Sequence, residues 1–570
     1  VPNFYLDNLD ILFHMKNMDL SRIVKLKEND FLESKIYPEA PDDLENALDN
    51  YHRVLTVAGE IAGEFIAPRA SEVDKKGATF KNGEVSLAKG SQEALERLKQ
   101  SDFLGFSVPR KYEGLNMPKI IYGIAIELIS RADASLMNLF GLQEIAETIY
   151  RYGTSEQKNK YLSRFCRGEV KGAMALTEPD AGSDLQSVML KARLKDDGNW
   201  YLNGVKRFIT NGYAEVSLVM ARSEEGTKDG RGISLFIYER DKNLKIRRIE
   251  KKLGIKGSPT CELQFNNAKA ELLGKRRMGL IKYTMSLMNG ARLGVSAQAV
   301  GIAEAAFQEA NSYAKKRKQF NKKIIRFTAV YEMLTHMKIS IEAGRSLLYE
   351  ASRVVDIKEG LEDKITHYPE LKSKYNKELK YYTKLAYFLT PLCKYYTTEM
   401  ANKVCYDAIQ VHGGVGFTTE FNVERHYRDV RITNIYEGTT QLQVVAAING
   451  IVSGLVFYRL DEYEKAHDFK VLSELFHTAT KLRTSLDKAI SFVKEQKDQV
   501  SLEFHAQRLV SIASYTVISY LLCIDALKCD RKKKVASIFI AKAAYKVEST
   551  LDHILSGDIN VSKFHESILD

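Results

Sequence analysis

The sequence predicts a mainly α-helical protein with a β domain inserted in its first half. Two observations carry this. Apolar residues recur at helical spacing up to about residue 170 and again beyond about 278. Between them, residues 171–277 break into short alternating or continuously apolar runs separated by turn signals. At 570 residues the chain is too long for one hydrophobic core. The expected domains are 1–170 (helical), 171–277 (β), 278–455 (helical bundle) and 456–570 (helical extension).

In the first segment, "PDDLENALDNYHRVLTVAGEIAGEF" places Leu44, Leu48, Val54, Leu55 and Ala58 near helical period. "SEQKNKYLSRFCRG" reads as a helix through Tyr161, Leu162 and Phe165; with Ser155 as its cap it lacks a capping box. In the β segment, Asp197-Gly198 and Asn203-Gly204 both read as hairpin turns. "SLVMARS", "ISLFIYE" and "CELQFNN" read as strands. Helical period returns with Val300, Ala303, Phe307, Ala310 and Tyr313 on one stripe. Two long helices are expected on either side of a loop holding Pro369. The uncharged run 439–458 contains Gln441, Gln443, Asn449 and Ser453 and is expected as a buried core helix rather than a membrane span. Residues 509–524 are likewise uncharged and suit the middle of a bundle.

Apolar content of 45% and charged content of 28% describe an ordinary globular protein. A formal charge of +11 favours anionic partners. The six cysteines form no CxxC pair and no zinc spacing, which points to a reducing, cytoplasmic compartment and to no metal. The N-terminal stretch carries acids and no basic region of the kind that opens a signal peptide.

Five short stretches carry chemistry. "MALTEPDAGSDLQS" (174–187) surrounds a turn whose small residues allow backbone N–H groups to approach a phosphate or a polar ring edge; by itself the stretch reads equally as a structural turn. "KRFITNG" (206–212) sets an aromatic and a hydroxyl at a strand end. "RKQF" (317–320) closes a long helix with a cation and an aromatic. "IQVHGGVGF" (409–417) follows a helix with three glycines, a C-cap that allows close backbone approach to a phosphate. There His412 reads as a structural histidine. "IYEGTTQ" (435–441) puts Glu437 beside Gly438, with Arg428 and Arg431 upstream as candidate salt-bridge partners. From the residues alone Glu437 is either a paired structural carboxylate or a catalytic base.

These stretches, in this order and at these separations, resemble the acyl-CoA dehydrogenase family over roughly residues 40–455. The long N-terminal segment, the insert near 356–380 and the C-terminal extension resemble its larger bacterial members, including enzymes similar to 3-methylthiopropionyl-CoA dehydrogenase and some long-chain enzymes. The resemblance implies a helical domain, a β-barrel-like domain and a four-helix bundle, followed by the extension. It implies an FAD flavoprotein that converts an acyl-CoA thioester to the trans-2-enoyl-CoA. Glu437 then takes the α-proton, flavin N5 takes the β-hydride, and electrons pass to an electron-transfer flavoprotein.

Carried over position by position, the resemblance places Leu176 and Thr177 at the flavin ring and Ser183 near the pyrophosphate and substrate. Phe208 and Thr210 lie beside the isoalloxazine. Arg317 and Phe320 reach the FAD of a neighbouring subunit, and Gln410, Gly413 and Gly414 contact its adenosine pyrophosphate. Thr439 and Gln441 lie on the adenine side. Arg292 and Gly438 serve the substrate. Phe208 stands where relatives often have Trp, and Met174 where many have Tyr. The residue before Arg292, the base in a minority of relatives, is Ala291, so Glu437 has no competitor. A homodimer is expected, with no nucleic-acid partner. The two alternative activities are an acyl-CoA oxidase using O2 and a DNA-binding flavoprotein of the same fold with little dehydrogenase activity. The expected location is cytoplasmic. A basic cluster, Arg531–Lys534, ahead of Val535, Ile538 and Phe539 raises peripheral contact with the inner membrane as a further option.

Overall fold

The computed structural model describes residues 2–570. It is mostly helical with one seven-stranded sheet, as the periodicities predict. The chain forms two compact units. One comprises the residues up to Ala306 with Gly413–Thr433, the other Phe307–His412 with Asn434–Asp570.

In the first unit, helix α1 (Leu44–Glu60) is capped by Asp43, whose carboxylate accepts the Asn46 N–H at 2.8 Å. It buries Ala47, Tyr51, Leu55 and Ala58 at helical spacing; of the residues read as its stripe, Leu55 and Ala58 are among these, while Leu44, Leu48 and Val54 are half-buried. Helix α2 (Lys119–Ala132) is buried on nearly every face, which its run of apolar residues requires. Helix α3 (Ser155–Cys166) corrects the sequence reading of its start. The cap is Thr154, one residue earlier than Ser155, and it forms a full capping box. Thr154 Oγ1 accepts from Gln157 N at 3.2 Å, and Gln157 Oε1 accepts from Thr154 N at 3.1 Å.

The sheet comprises β1 (Gly172–Ala175), β2 (Lys191–Leu194), β3 (Trp200–Thr210), β4 (Val216–Arg222), β5 (Ile233–Glu239), β6 (Leu244–Ile249) and β7 (Thr260–Leu273). The order is β1-β4-β2-β3-β7-β5; β6 also pairs with β7, and β5 pairs back to β4, closing a barrel. Both faces of β4 and β5 are buried, so neither strand shows polar alternation. Val216, Leu218, Met220, Leu235 and Ile237 pack on a cluster with Ile149, Tyr161 and Phe165. Val219, Phe236 and Tyr238 pack inward with Trp200, Leu202 and Phe265.

The hairpin at Asp197-Gly198 forms between β2 and β3. Asn203-Gly204 does not turn the chain. It lies within β3, where the pairing with β7 shifts register between Leu202 and Asn203. Gly204 adopts φ +142, and a Cβ there would sit 3.0 Å from the Leu190 Cα. A bulge and a close backbone approach therefore use the dipeptide that elsewhere makes a hairpin.

Helix α4 (Met285–Lys316) runs through the division between the units. In the second unit, helices α5 (Thr328–His367) and α6 (Lys372–His412) flank a 3₁₀ turn, Pro369–Leu371, where the sequence places a loop. The uncharged run after Thr439 is not one helix. It divides into α7 (Thr440–Val452) and α8 (Leu455–Ala466), bent by 66°. Gly454, at φ +82, makes the break. The extension adds α9 (Ser473–Glu495), α10 (Gln499–Ala526) and α11 (Asp530–Leu555). Helix α10 is long and apolar enough to cross a membrane by composition, yet 78% of its most apolar stretch is buried inside the protein.

Two buried acids tie the bundle to the extension. Glu350 pairs with Arg353 at 2.8 Å, with Arg459, and accepts from Tyr463 Oη at 2.8 Å. Burial raises its carboxyl, but Arg459 and Arg353 overcome this and hold it down to about 2. Glu342 pairs with Lys532 at 3.0 Å and with Arg531. Lys532 is thus buried, while Arg531, Lys533 and Lys534 of the same cluster remain exposed.

Candidate functional site

In the first unit the candidate residues gather on one edge of the barrel. Leu176 and Thr177 leave the end of β1, and Ser183 lies exposed in the loop that follows. Phe208 and Thr210 end β3, and the Arg207 N–H donates to the Thr177 carbonyl at 2.9 Å, joining the two segments. The β3–β7 pairing slips between Lys206 and Ile209, leaving a second bulge at Arg207-Phe208. Phe208 takes φ +59, a strained conformation for a bulky residue, and the residue is 53% exposed. The Arg207 guanidinium lies 4.6 Å from the ring centroid. A bulge therefore turns outward an aromatic that the strand's alternation would have sent into the core.

The loop between β1 and β2 is held by a pair that sequence reasoning missed. Lys206 is fully buried and its Nζ donates to the Leu176 carbonyl at 2.7 Å and to Glu178 Oε1 at 2.8 Å. Glu178 also accepts the N–H groups of Met189 and Leu190 at 2.7 and 3.0 Å. Burial depresses the Lys206 ammonium to about 8, against the pull of Glu178. The signal was the acid inside "ALTEPD" and the cation before "RFITNG", both in motifs already singled out.

A second missed contact lies at the loop before β7. Asp429, on helix Val423–Val430, is buried and accepts the Ile255 N–H at 2.5 Å. Burial raises its carboxyl to about 7. Ile255, a β-branched residue, is held at φ +45. Arg428 pairs with Asp74 at 2.6 Å and with Glu424 at 2.7 Å, so its carboxylate partners lie elsewhere than the Glu437 partner the sequence suggested. Arg292 is buried on α4, with Nη1 donating to Asn289 Oδ1 at 3.1 Å.

In the second unit, Glu437 and Gly438 form a left-handed pair at φ +53 and φ +89. A Cβ at Gly438 would lie 2.7 Å from Gln443 Nε2. The Gly438 carbonyl accepts from Lys394 Nζ at 2.7 Å and from Gln443 Nε2 at 2.8 Å; Gln443 Nε2 also meets the Glu437 carbonyl at 3.3 Å. Thr439 caps α7, accepting the Leu442 N–H at 3.4 Å, and Gln441 is exposed on its first turn. Asn434 Nδ2 and Thr440 Oγ1 both donate to Glu399 Oε1, the former at 3.0 Å. Arg317 and Phe320 stand on a tight hairpin after α4, with Phe320 at φ +49 and 88% exposed.

Helix α6 ends at His412 and Gly413 takes φ +65, the C-cap predicted. Gln410, Gly413 and Gly414 are exposed, and no atom lies within 4 Å of a Cβ built at either glycine. His412 is buried, stacked on Tyr313 at 4.4 Å, and its ring nitrogen pairs with the Ala408 carbonyl, a structural role. Among the described residues no group of three or more His, Cys, Asp or Glu is placed to hold a metal.

Family models for the acyl-CoA dehydrogenase N-terminal, middle and C-terminal domains match residues 49–169, 173–268 and 293–441. A fourth, "acyl-CoA dehydrogenase C terminal", matches residues 452–560. The chain is 34% identical over 426 residues to 3-methylmercaptopropionyl-CoA dehydrogenase of Ruegeria pomeroyi, covering 70% of this chain and 69% of that one. A chain solved in work on the electron transferring flavoprotein of Acidaminococcus fermentans is 32% identical, covering 71% of this chain and 98% of its own, with a TM-score of 0.60. An acyl-CoA dehydrogenase of Bacillus anthracis, solved in complex with FAD, is 23% identical and shares the fold over 91% of this chain and 89% of its own, with a TM-score of 0.76.

Proposed function

This chain belongs to the acyl-CoA dehydrogenase family and is an oxidoreductase, and on that premise we propose that it is an FAD-dependent dehydrogenase that desaturates an acyl-CoA thioester between Cα and Cβ, with Glu437 as the base. The observation that carries the reading is the left-handed turn at Glu437. A non-glycine residue at φ +53 costs on the order of 1–3 kcal/mol and persists only where its surroundings over-determine it, which is the pattern of a functional residue.

The barrel edge fits a flavin. The exposed Phe208 ring offers a face for a planar ring system, Leu176 and Thr177 present backbone and hydroxyl beside it, and the space above Gly182 is open. FAD, when bound, accepts the β-hydrogen as hydride. The chain's own residues do the rest. A thioester α-proton is too weakly acidic for a carboxylate in water, so the enolate oxygen needs fixed donors as its charge develops. The Glu437 backbone N–H serves as one donor, and its side chain takes the proton. One rigid turn sets both directions, so the base and its donor keep their mutual alignment. Arg317 and Phe320, both exposed, complete the cofactor site of a second copy, making the working unit a homodimer. The electron acceptor is an electron-transfer flavoprotein, a reading supported by the relative from Acidaminococcus fermentans.

The test is anaerobic titration of the purified yellow protein with a panel of acyl-CoA thioesters. Bleaching of the flavin absorbance by one class of thioester is the expected result, followed by recovery on adding electron-transfer flavoprotein but not on brief exposure to air. A flavin that no thioester bleaches overturns the reading; rapid recovery in air alone identifies an oxidase.

A further inference from the structure

We infer that Lys394 is a positioning residue for the reaction: from behind, it locks the turn that aims Glu437. The inference rests on the proposed function. Lys394 lies on α6, and its side chain is fully buried. A buried ammonium is costly unless its hydrogens are satisfied. Here Nζ reaches the Gly438 carbonyl at 2.7 Å, within the range of a charge-assisted hydrogen bond.

The same carbonyl accepts from Gln443 Nε2 at 2.8 Å, and Gln443 is itself fully buried on α7. A carbonyl with two lone pairs is thereby filled by two donors on two different helices. With Gln443 also on the Glu437 carbonyl, the peptide planes after Glu437 and Gly438 are both fixed. Fixing those planes fixes φ and ψ at Gly438, the two torsions between them, and so holds in place the carbonyl side of the Glu437 Cα, from which its carboxylate projects. Glu399 braces the flanks of the turn through Asn434 and Thr440. The strain of the left-handed pair is therefore opposed by contacts from α6 and α7 rather than by the turn itself.

The experiment compares wild type with K394M, K394R and Q443L in the full chain. Each is measured for flavin content, for kcat per bound flavin with the best thioester, for the isotope effect with Cα-deuterated substrate, and for amide hydrogen exchange of the peptide covering residues 435–442. Expected for K394M are unchanged flavin content, a roughly tenfold to hundredfold loss in kcat per flavin, a larger isotope effect and at least tenfold faster exchange. KM should shift little. K394R should recover part of the rate and Q443L should show a smaller loss. If K394M misfolds, the graded responses of K394R and Q443L still decide the matter. Exchange and kcat per flavin at wild-type levels in the folded variants overturn the inference. Wild-type protein inactive with every thioester would instead overturn the proposed function, and the exchange result would then report on the turn alone.

Discussion

The barrel edge and the bundle turn solve the same mechanical problem with their acids in opposite roles. Each mounts an exceptional residue at positive φ, Phe208 in one and Glu437 in the other, and each anchors the backbone beside it with a buried lysine. In the barrel, the acid of the motif is the holder: Glu178 meets Lys206 and two backbone N–H groups and is consumed by that task. In the bundle, the acid is held: Lys394 and Gln443 grip the backbone around Glu437 and set the side chain's direction from outside. Two glutamates in two short motifs look alike as sequence. The hydrogen bonds around them separate a structural carboxylate from a candidate base.

The comparison breaks most severely at the barrel. Glu178→Ala leaves the Lys206 ammonium buried beside one carbonyl, and losing one partner of a buried pair costs about 3–5 kcal/mol. Chemical denaturation should show that loss together with poor flavin retention. A variant of near wild-type stability would mean that the pair does not hold the loop.

Asp429 tests whether the barrel's other clamp works through charge or through shape. Burial raises its carboxyl from the ordinary aspartate range to about 7. Between those values the folded state binds more protons than the unfolded one, so the carboxyl's contribution to stability is complete below the unfolded value and is lost as pH rises through about 7. Asp429→Asn keeps an acceptor for the Ile255 N–H and removes the titration. Relative to wild type it should gain stability steadily from about pH 4 to pH 7 and then level off, with a slope below the ~1.4 kcal/mol per pH unit that one proton supplies. A flat difference curve would show that Asp429 stays ionised in the fold.

For the held acid the expected change is in rate and not in stability. Glu437→Gln should keep fold and flavin while turnover falls at least about a hundredfold, the scale of losing a positioned base. Turnover near wild type would return Glu437 to a structural role. Thr154→Ala supplies the small end of the scale. An uncharged capping box lost at α3 should cost about 1 kcal/mol in stability with no effect on turnover per flavin.

Much of this architecture is legible in the sequence because burial imposes period. The stripes of α1 and α4, the short runs of the barrel and the long uncharged stretch of α10 all follow from which faces meet apolar neighbours. What stayed hidden depends on backbone geometry. The Asn203-Gly204 pair carries one signal for two structures, and only the packing of Leu190 decides for a bulge. Thr154 and Ser155 compete for one cap, and the spacing to Gln157 settles it. At the candidate site, the motifs marked Phe208 and Glu437 but could not reveal their left-handed torsions, since neither residue type favours them. Lys206 and Lys394 were invisible for a related reason. A buried lysine is rare, and its partner lies 28 residues away in one case and 44 in the other.

The acids that tie bundle to extension also constrain when the second unit is able to fold. Glu350 is joined to Arg459 across 109 residues, and Glu342 to Arg531 across 189. On the ribosome, α5 therefore exists for some time with Glu350 in reach of Arg353 and Glu342 in reach of Lys338 on the same helix, before the cations of the later helices are made. At ordinary translation speed the gap for Glu342 is roughly 10–40 s. During that interval closing the bundle would bury Glu342 without Arg531 and Lys532, so the full pairing of these acids forms only after the extension helices have been made.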